Sequence, residues 1–139
     1  MYEKTTGVEI TGRKTFIDND DVNVEKAAFI GVIDGVGNNM FDPNETLSRE
    51  QAATMLSRLA FVIGVPLPVQ AVKFADNSSI SSWALEPVGQ VQAAGIMQGV
   101  GNDRFAPKEP YSKEQSIITI IRLYDYITSS EALLLQNLP

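Results

Sequence analysis

The sequence predicts an all-α protein made of tandem helix–loop–helix repeats packed as a helical bundle. Three observations predict it: a self-similar segment that recurs 64 residues on, two amphipathic runs opened by the same serine-led cap, and strand-like alternation confined to a few residues. The repeat is the strongest. Gly35-Val36-Gly37-Asn38-Asn39-Met40-Phe41-Asp42-Pro43 returns as Gly99-Val100-Gly101-Asn102-Asp103-Arg104-Phe105-Ala106-Pro107. Downstream, Leu47-Ser48-Arg49-Glu50-Gln51 aligns with Tyr111-Ser112-Lys113-Glu114-Gln115, and Arg58-Leu59 with Arg122-Leu123, at the same offset. Upstream, Phe16-Ile17-Asp18 pairs with Phe74-Ala75-Asp76 at an offset of 58, so the first unit is six residues shorter there.

Taken in order, the first helix of each unit is expected over Asn23 to about Asp34 and Ser81 to about Gln98. Pro87 is tolerable only in early turns, which places that second start around Trp83 or later. The loops Gly35 to Thr46 and Gly99 to Pro110 carry Gly and Asn where positive φ is cheap, and a Pro that neither helix can continue through. Phe41 and Phe105 are their apolar anchors. Ser48 with Gln51, and Ser112 with Gln115, have the spacing of a reciprocal cap that satisfies two orphaned backbone donors, so both second helices start at those serines. Ala52, Leu56, Leu59 and Ile63 then fall on one face, matched by Ser116, Ile120, Leu123 and Ile127. Gly64 and Pro66 end the first of these helices. Short pairings at Val8 to Ile10 or Val72 to Phe74 are the only strand candidates, and Ser130 to Leu135 suits one further short helix. The expected organisation is one domain over 1–139, with motif one at 16–64, motif two at 74–127 and flanks at 1–15 and 128–139.

Composition narrows the chemistry. With 139 residues, 44% apolar and 20% charged, the chain suits one globular domain able to bury its own core. No Cys and no His removes thiolate and imidazole catalysis, Cys- or His-ligated metals and disulfides. A net charge of −6 disfavours a sequence-independent grip on nucleic acid or an anionic membrane, and no apolar run approaches a membrane span. The N-terminus lacks the basic start and apolar stretch of a secretory signal, which fits a cytosolic chain, a mature region or a cloned segment. Gly35-x-Gly37 and Gly99-x-Gly101 follow no strand and lack the later Gly and Lys of nucleotide loops. Asp18-Asn19-Asp20-Asp21 lacks the central Gly and terminal Glu of a helix–loop–helix calcium site. Neither a cofactor nor a metal is expected, and no catalytic residue can be named from spacing.

A unit of Phe-x-Asp, helix, Gly-x-Gly-x-x-x-Phe-x-Pro and a Ser/Thr-Arg-Ala-Glu-like helix start resembles the S-layer homology motif. Two copies in the same order cover residues 16 to 127. The resemblance implies a pseudo-threefold helical spindle of three motifs. Only two are visible, so the third is missing, degenerate in the flanks, or supplied by another chain in a homo-oligomer. It implies a non-catalytic module at the cell wall or cell surface, extracellular, tethering an exported protein to pyruvylated secondary cell-wall polysaccharide. A hydrolase acting on wall glycan is kept as an alternative only because such modules are often attached to enzymes; a self-association module that has lost its ligand is the other.

Carried over by position, the basic residue of the motif is Arg49 in the first unit and Lys113 in the second, with Trp83, Asp18, Asp76, Gly37 and Gly101 as the aromatic, acidic and glycine positions of the groove. Ser stands for Thr in both segments, and Lys113 presents a point charge where Arg49 offers a fork that matches a carboxylate, so the second site is expected to be weaker. Both cations lie in a helix's first turn, where backbone N–H groups and the dipole favour an anion. They equally suit solvated residues pairing with Glu50, Glu114 or Asp42. Trp83 suits a core filler as well as a sugar platform, and Asp18 and Asp76 suit caps or turn formers that tie loop to helix.

Overall fold

The computed structural model describes residues 1–129. Those residues are helical and contain no strand, in agreement with the all-α expectation. In order they form α1 (Tyr2–Thr6), α2 (Val22–Phe29), α3 (Arg49–Ile63), two 3-10 turns (Asn77–Ser79 and Ser82–Ala84), α4 (Leu85–Ala93) and α5 (Lys113–Ser129). The strand pairings expected at Val8 to Ile10 and Val72 to Phe74 are not formed; isolated bridges join Gly37 to Met40, Gly101 to Arg104 and Ser48 to Pro110. The helix expected over Ser130 to Leu135 lies outside the described residues.

The chain divides into two compact units, Met1–Thr46 and Leu47–Pro139, so the division falls inside the first repeat. In the first unit, Asp21 caps α2 by accepting from Asn23 N–H at 2.8 Å, and Glu3 fastens the preceding segment by accepting from Ile10 N–H at 2.8 Å and Lys26 Nζ at 3.1 Å. Asp18 accepts from the backbone of Phe41 and Asp42, both at 2.7 Å, and the Phe16 and Phe41 rings meet at 5.6 Å.

In the second unit, α3 packs against α4, α5 and the second 3-10 turn. Ala52, Ala53, Leu56 and Ala60 of α3 face Val88 and Val91 of α4 and Leu123 and Ile127 of α5 in the core, with Ile96, Met97 and Phe105 from the loop, all buried. Three alanines on α3 let its neighbours approach closely. Of the faces expected from periodicity, Leu59 and Ile63 are half-buried, and Ile120 is exposed. Thr119 takes the inward place instead, its hydroxyl bonded to Gln115 O and to the Tyr111 phenol.

The first helix of each repeat is shorter than periodicity suggests: α2 ends at Phe29 and α4 at Ala93. One device stops both. Gly31 and Gly95, 64 residues apart, take φ of 88° and 72°, and the amides of Val32 and Ile96 return to Ala27 and Val91 carbonyls at 3.0 and 2.9 Å. This left-handed closure satisfies the last carbonyls and favours glycine. The six residues missing from the first repeat fall where the second has its 3-10 turns, Trp83 among them.

Candidate functional site

Ser48 fixes where Arg49 sits. Its hydroxyl accepts from Gln51 N–H at 3.3 Å while the Gln51 side chain accepts from Ser48 N–H at 2.9 Å, a complete reciprocal cap that makes Arg49 the first residue of α3. The backbone at this helix start is not open to a ligand, contrary to the sequence expectation. Arg49 N–H donates to Glu109 O and Glu50 N–H to Pro107 O, each at 3.0 Å, because the loop Gly99 to Pro110 folds across the helix end. Any anion here meets the Arg49 side chain rather than the amides.

That side chain is 5% exposed. Nε donates to Phe105 O at 2.8 Å, Nη2 to Gln98 O at 2.7 Å and Nη1 to Gln115 Oε1 at 2.6 Å, while Cζ lies 4.8 Å from the Phe105 ring centroid. Two main-chain carbonyls, a neutral amide and a ring face hold the guanidinium, and none of them is an anion. Burial pushes its pKa down, against the raising influence of Tyr111 and Asp76. With hydrogen-bond partners that are all uncharged, and Asp76 acting on it only through space, the guanidinium keeps positive potential that a carboxylate in direct contact can satisfy. Of five N–H groups, these bonds engage three.

A cavity of about 220 Å³ opens against it. The segment that follows α4 supplies Met97, Gln98, Gly99 and Val100, and α5 supplies Gln115, Ile118, Thr119 and Arg122. Among the described residues the lining holds two arginines and no acidic residue, in a chain whose net charge is −6. Gly99 is required at this wall: a Cβ there would lie 2.6 Å from Arg104 O and 3.0 Å from the Phe74 ring.

Asp76 ties down the loop on which the Arg49 side chain lies. It accepts from Phe105 N–H at 2.8 Å and Ala106 N–H at 2.9 Å, and Phe105 rests on Phe74 at 5.3 Å. Asp76 thus holds both the ring and the carbonyl against which Arg49 lies. Burial raises the Asp76 pKa, but the Phe105 and Ala106 amides outweigh it and the carboxyl ends below its ordinary value. Asp18 ties its own loop in the same way, and the Phe41 amide holds its carboxyl below the ordinary value too. Next to Arg49, the Glu50 carboxylate is buried and accepts from Ser81 N–H at 2.9 Å, Ser81 Oγ at 2.8 Å and Lys108 Nζ at 2.5 Å. Burial raises its pKa; Lys108 and Ser81 outweigh that and lower it.

The other expected site residues stand apart from the cavity lining. Lys113 is exposed on the first turn of α5, Trp83 is 54% exposed on the second 3-10 turn, and Gly37 and Gly101 occupy exposed turns with φ of 99° and 112°. Sequence reasoning missed Gln98, Gly99, Gln115 and Arg122. The sequence marks Gln115 only as a capping residue; Ser112 does accept from Gln115 N–H at 3.1 Å, but the side-chain oxygen turns to Arg49. Among the described residues, no cluster of acidic side chains could hold a metal ion, and no helix is long and apolar enough to cross a membrane.

A tandem helical module with a cationic, acid-free cavity defines the class, and comparison with known proteins supplies the family. The sequence profile described as the S-layer homology domain matches residues 23–53 and 73–115, more than half of the chain. The chain belongs to the S-layer homology domain family. It is similar to an endoglucanase of Bacillus sp. (strain KSM-635), 32% identical over 78% of this chain and 12% of the relative. It is likewise similar to an amylopullulanase of Thermoanaerobacterium thermosulfurigenes, 30% identical over 73% and 6%, and to the S-layer protein sap of Bacillus anthracis, 28% identical over 78% and 12%. The chain therefore spans at most 12% of the length of these relatives. Surface-layer proteins and glycan-acting enzymes share the module.

Proposed function

We propose that this chain is a non-catalytic anchoring module at the bacterial cell wall or surface, whose Arg49 cavity binds an acidic, pyruvylated secondary cell-wall polysaccharide. One observation carries the reading: a buried guanidinium whose hydrogen-bond partners are all uncharged lies against a cavity with no acidic side chain among the described residues that line it. A ketal carboxylate of the polymer pairs directly with the guanidinium, and the uncommitted N–H groups of Arg49 direct it. The occurrence of the module in surface-layer proteins and in enzymes with unlike activities supports an attachment role. Turnover belongs elsewhere in such enzymes, and this chain alone should hydrolyse no glycan. Purified wall polysaccharide should retain the protein in a pull-down, and Arg49→Gln should release it. Retention unchanged by Arg49→Gln and Lys113→Gln together ends the proposal.

A second reading, self-association that completes a helical spindle, is favoured by the exposed row Ile117, Ile118, Ile120 and Ile121 on α5. Light scattering over a range of concentrations without sugar tests it. A constant monomer mass rules it out.

A further inference from the structure

We propose that Arg122 is the second anion-holding residue of the Arg49 cavity, so that an acidic sugar is gripped by two guanidiniums, one buried at the wall and one exposed at the mouth. The proposal rests on the reading of this cavity as the polymer site and names a residue which that reading does not contain.

The argument starts with helix geometry. Gln115, Ile118, Thr119 and Arg122 are spaced i, i+3, i+4 and i+7, so they form one stripe along α5. The stripe is fixed in place at its first member, because Gln115 Oε1 accepts from Arg49 Nη1 at 2.6 Å, and at its third, because Thr119 is bonded to Tyr111. A stripe held at those two points carries its last member into the same cavity, and Arg122 does line it.

Arg122 is free for this work. It is exposed, and among the described residues no carboxylate lies within salt-bridge distance of its guanidinium. An arginine of this kind would elsewhere be an ordinary solvated surface charge. Here it shares an acid-free lining with a second arginine, in a chain where acidic residues outnumber basic ones by 17 to 11. Two cations that repel each other across one cavity have a common use for an anion between them.

The two arginines should act differently. Arg49 is desolvated and prepositioned by three hydrogen bonds, so its attraction is short-range and little screened. Arg122 is solvated, so its attraction is strongest at low ionic strength and fades as salt is added. Salt dependence thus separates a charge that touches the ligand from a residue that merely supports the fold.

The test is titration calorimetry of the full chain with purified wall polysaccharide carrying ketal-linked pyruvate, at several salt concentrations, with the depyruvylated polymer as reference. Arg122→Gln should weaken binding roughly three- to tenfold at low salt, the loss shrinking toward none near 1 M, with an unchanged melting temperature. Arg122→Lys should recover the salt dependence but only part of the affinity, since it restores charge without the planar fork. If Arg122→Gln binds with wild-type affinity and salt dependence while depyruvylation or Arg49→Gln abolishes binding, the role of Arg122 is refuted and the cavity reading stands. If the wild-type chain does not distinguish the two polymers, the cavity reading fails and this inference with it.

Discussion

α3 and α5 begin from the same sequence signal and end in opposite environments. Each opens on a Ser-x-x-Gln cap and descends from the same part of the repeat. Along α3, Ala53, Thr54, Leu56 and Ser57 are buried, Ser57 bonded to Gln90 at 2.6 Å, and Glu50 receives Ser81 and Lys108. The matching positions of α5 are Ile117, Ile118, Ile120 and Ile121, exposed between 42% and 56%, and Glu114 is exposed as well. Local sequence decides where such a helix starts. The hairpin of the next repeat decides whether its outer face and its first-turn charges are structural or free. Arg49 and Lys113 differ for that reason: one is drawn under the loop of the following repeat, and the other has no such loop over it among the described residues.

The largest effect should come from the paired glutamates. Glu50→Ala removes the buried acceptor of the Ser81 amide, the Ser81 hydroxyl and the exposed Lys108 ammonium, and should cost about 2–4 kcal/mol in urea unfolding, whereas Glu114→Ala should change stability by less than about 0.5 kcal/mol. Equal losses would break the comparison. Next, Leu56→Ala should cost about 2–4 kcal/mol, because Leu56 is 4% exposed, while Ile120→Ala should cost under about 1 kcal/mol. A smaller difference is expected at the caps. Ser48→Ala removes a reciprocal pair and should cost about 1 kcal/mol; Ser112→Ala should cost less, because Gln115 is already committed to Arg49.

The smallest effect at neutral pH is the acid response of the loop ties. Asp18, Glu50 and Asp76 all have folded pKa values below their ordinary ones. Such groups release protons more readily when folded, so their contribution is fully present above the ordinary carboxylate range and disappears as pH falls through the depressed values. Stability followed by circular dichroism should be flat from about pH 5 to 8, where no His titrates, and fall below about pH 4. Asp76→Asn should flatten part of that fall, and Asp18→Asn another part. A profile unmoved by both substitutions would separate the loop ties from acid stability.

The repeat, both serine caps and the cation at position 49 were legible because each is a local or self-similar signal. The early helix ends escaped the sequence reading, because apolar periodicity continues past the aligned Gly31 and Gly95 and hid the closure. The inward row of α5 was misjudged by one residue. Period alone does not distinguish Ile120 from Thr119 when a hydroxyl can find partners inside.

The cavity belongs to a different level. Arg49, Gln98, Gln115 and Arg122 are scattered over more than seventy residues, and no spacing rule joins them. By itself the amino-acid order determined the helix starts, the loop chemistry and which side chains carry charge, since caps and turns are settled within a few residues. Only the tertiary structure decided which charge lost its water and which kept it. Desolvation depends on what packs above a side chain, and that partner lies a whole repeat away.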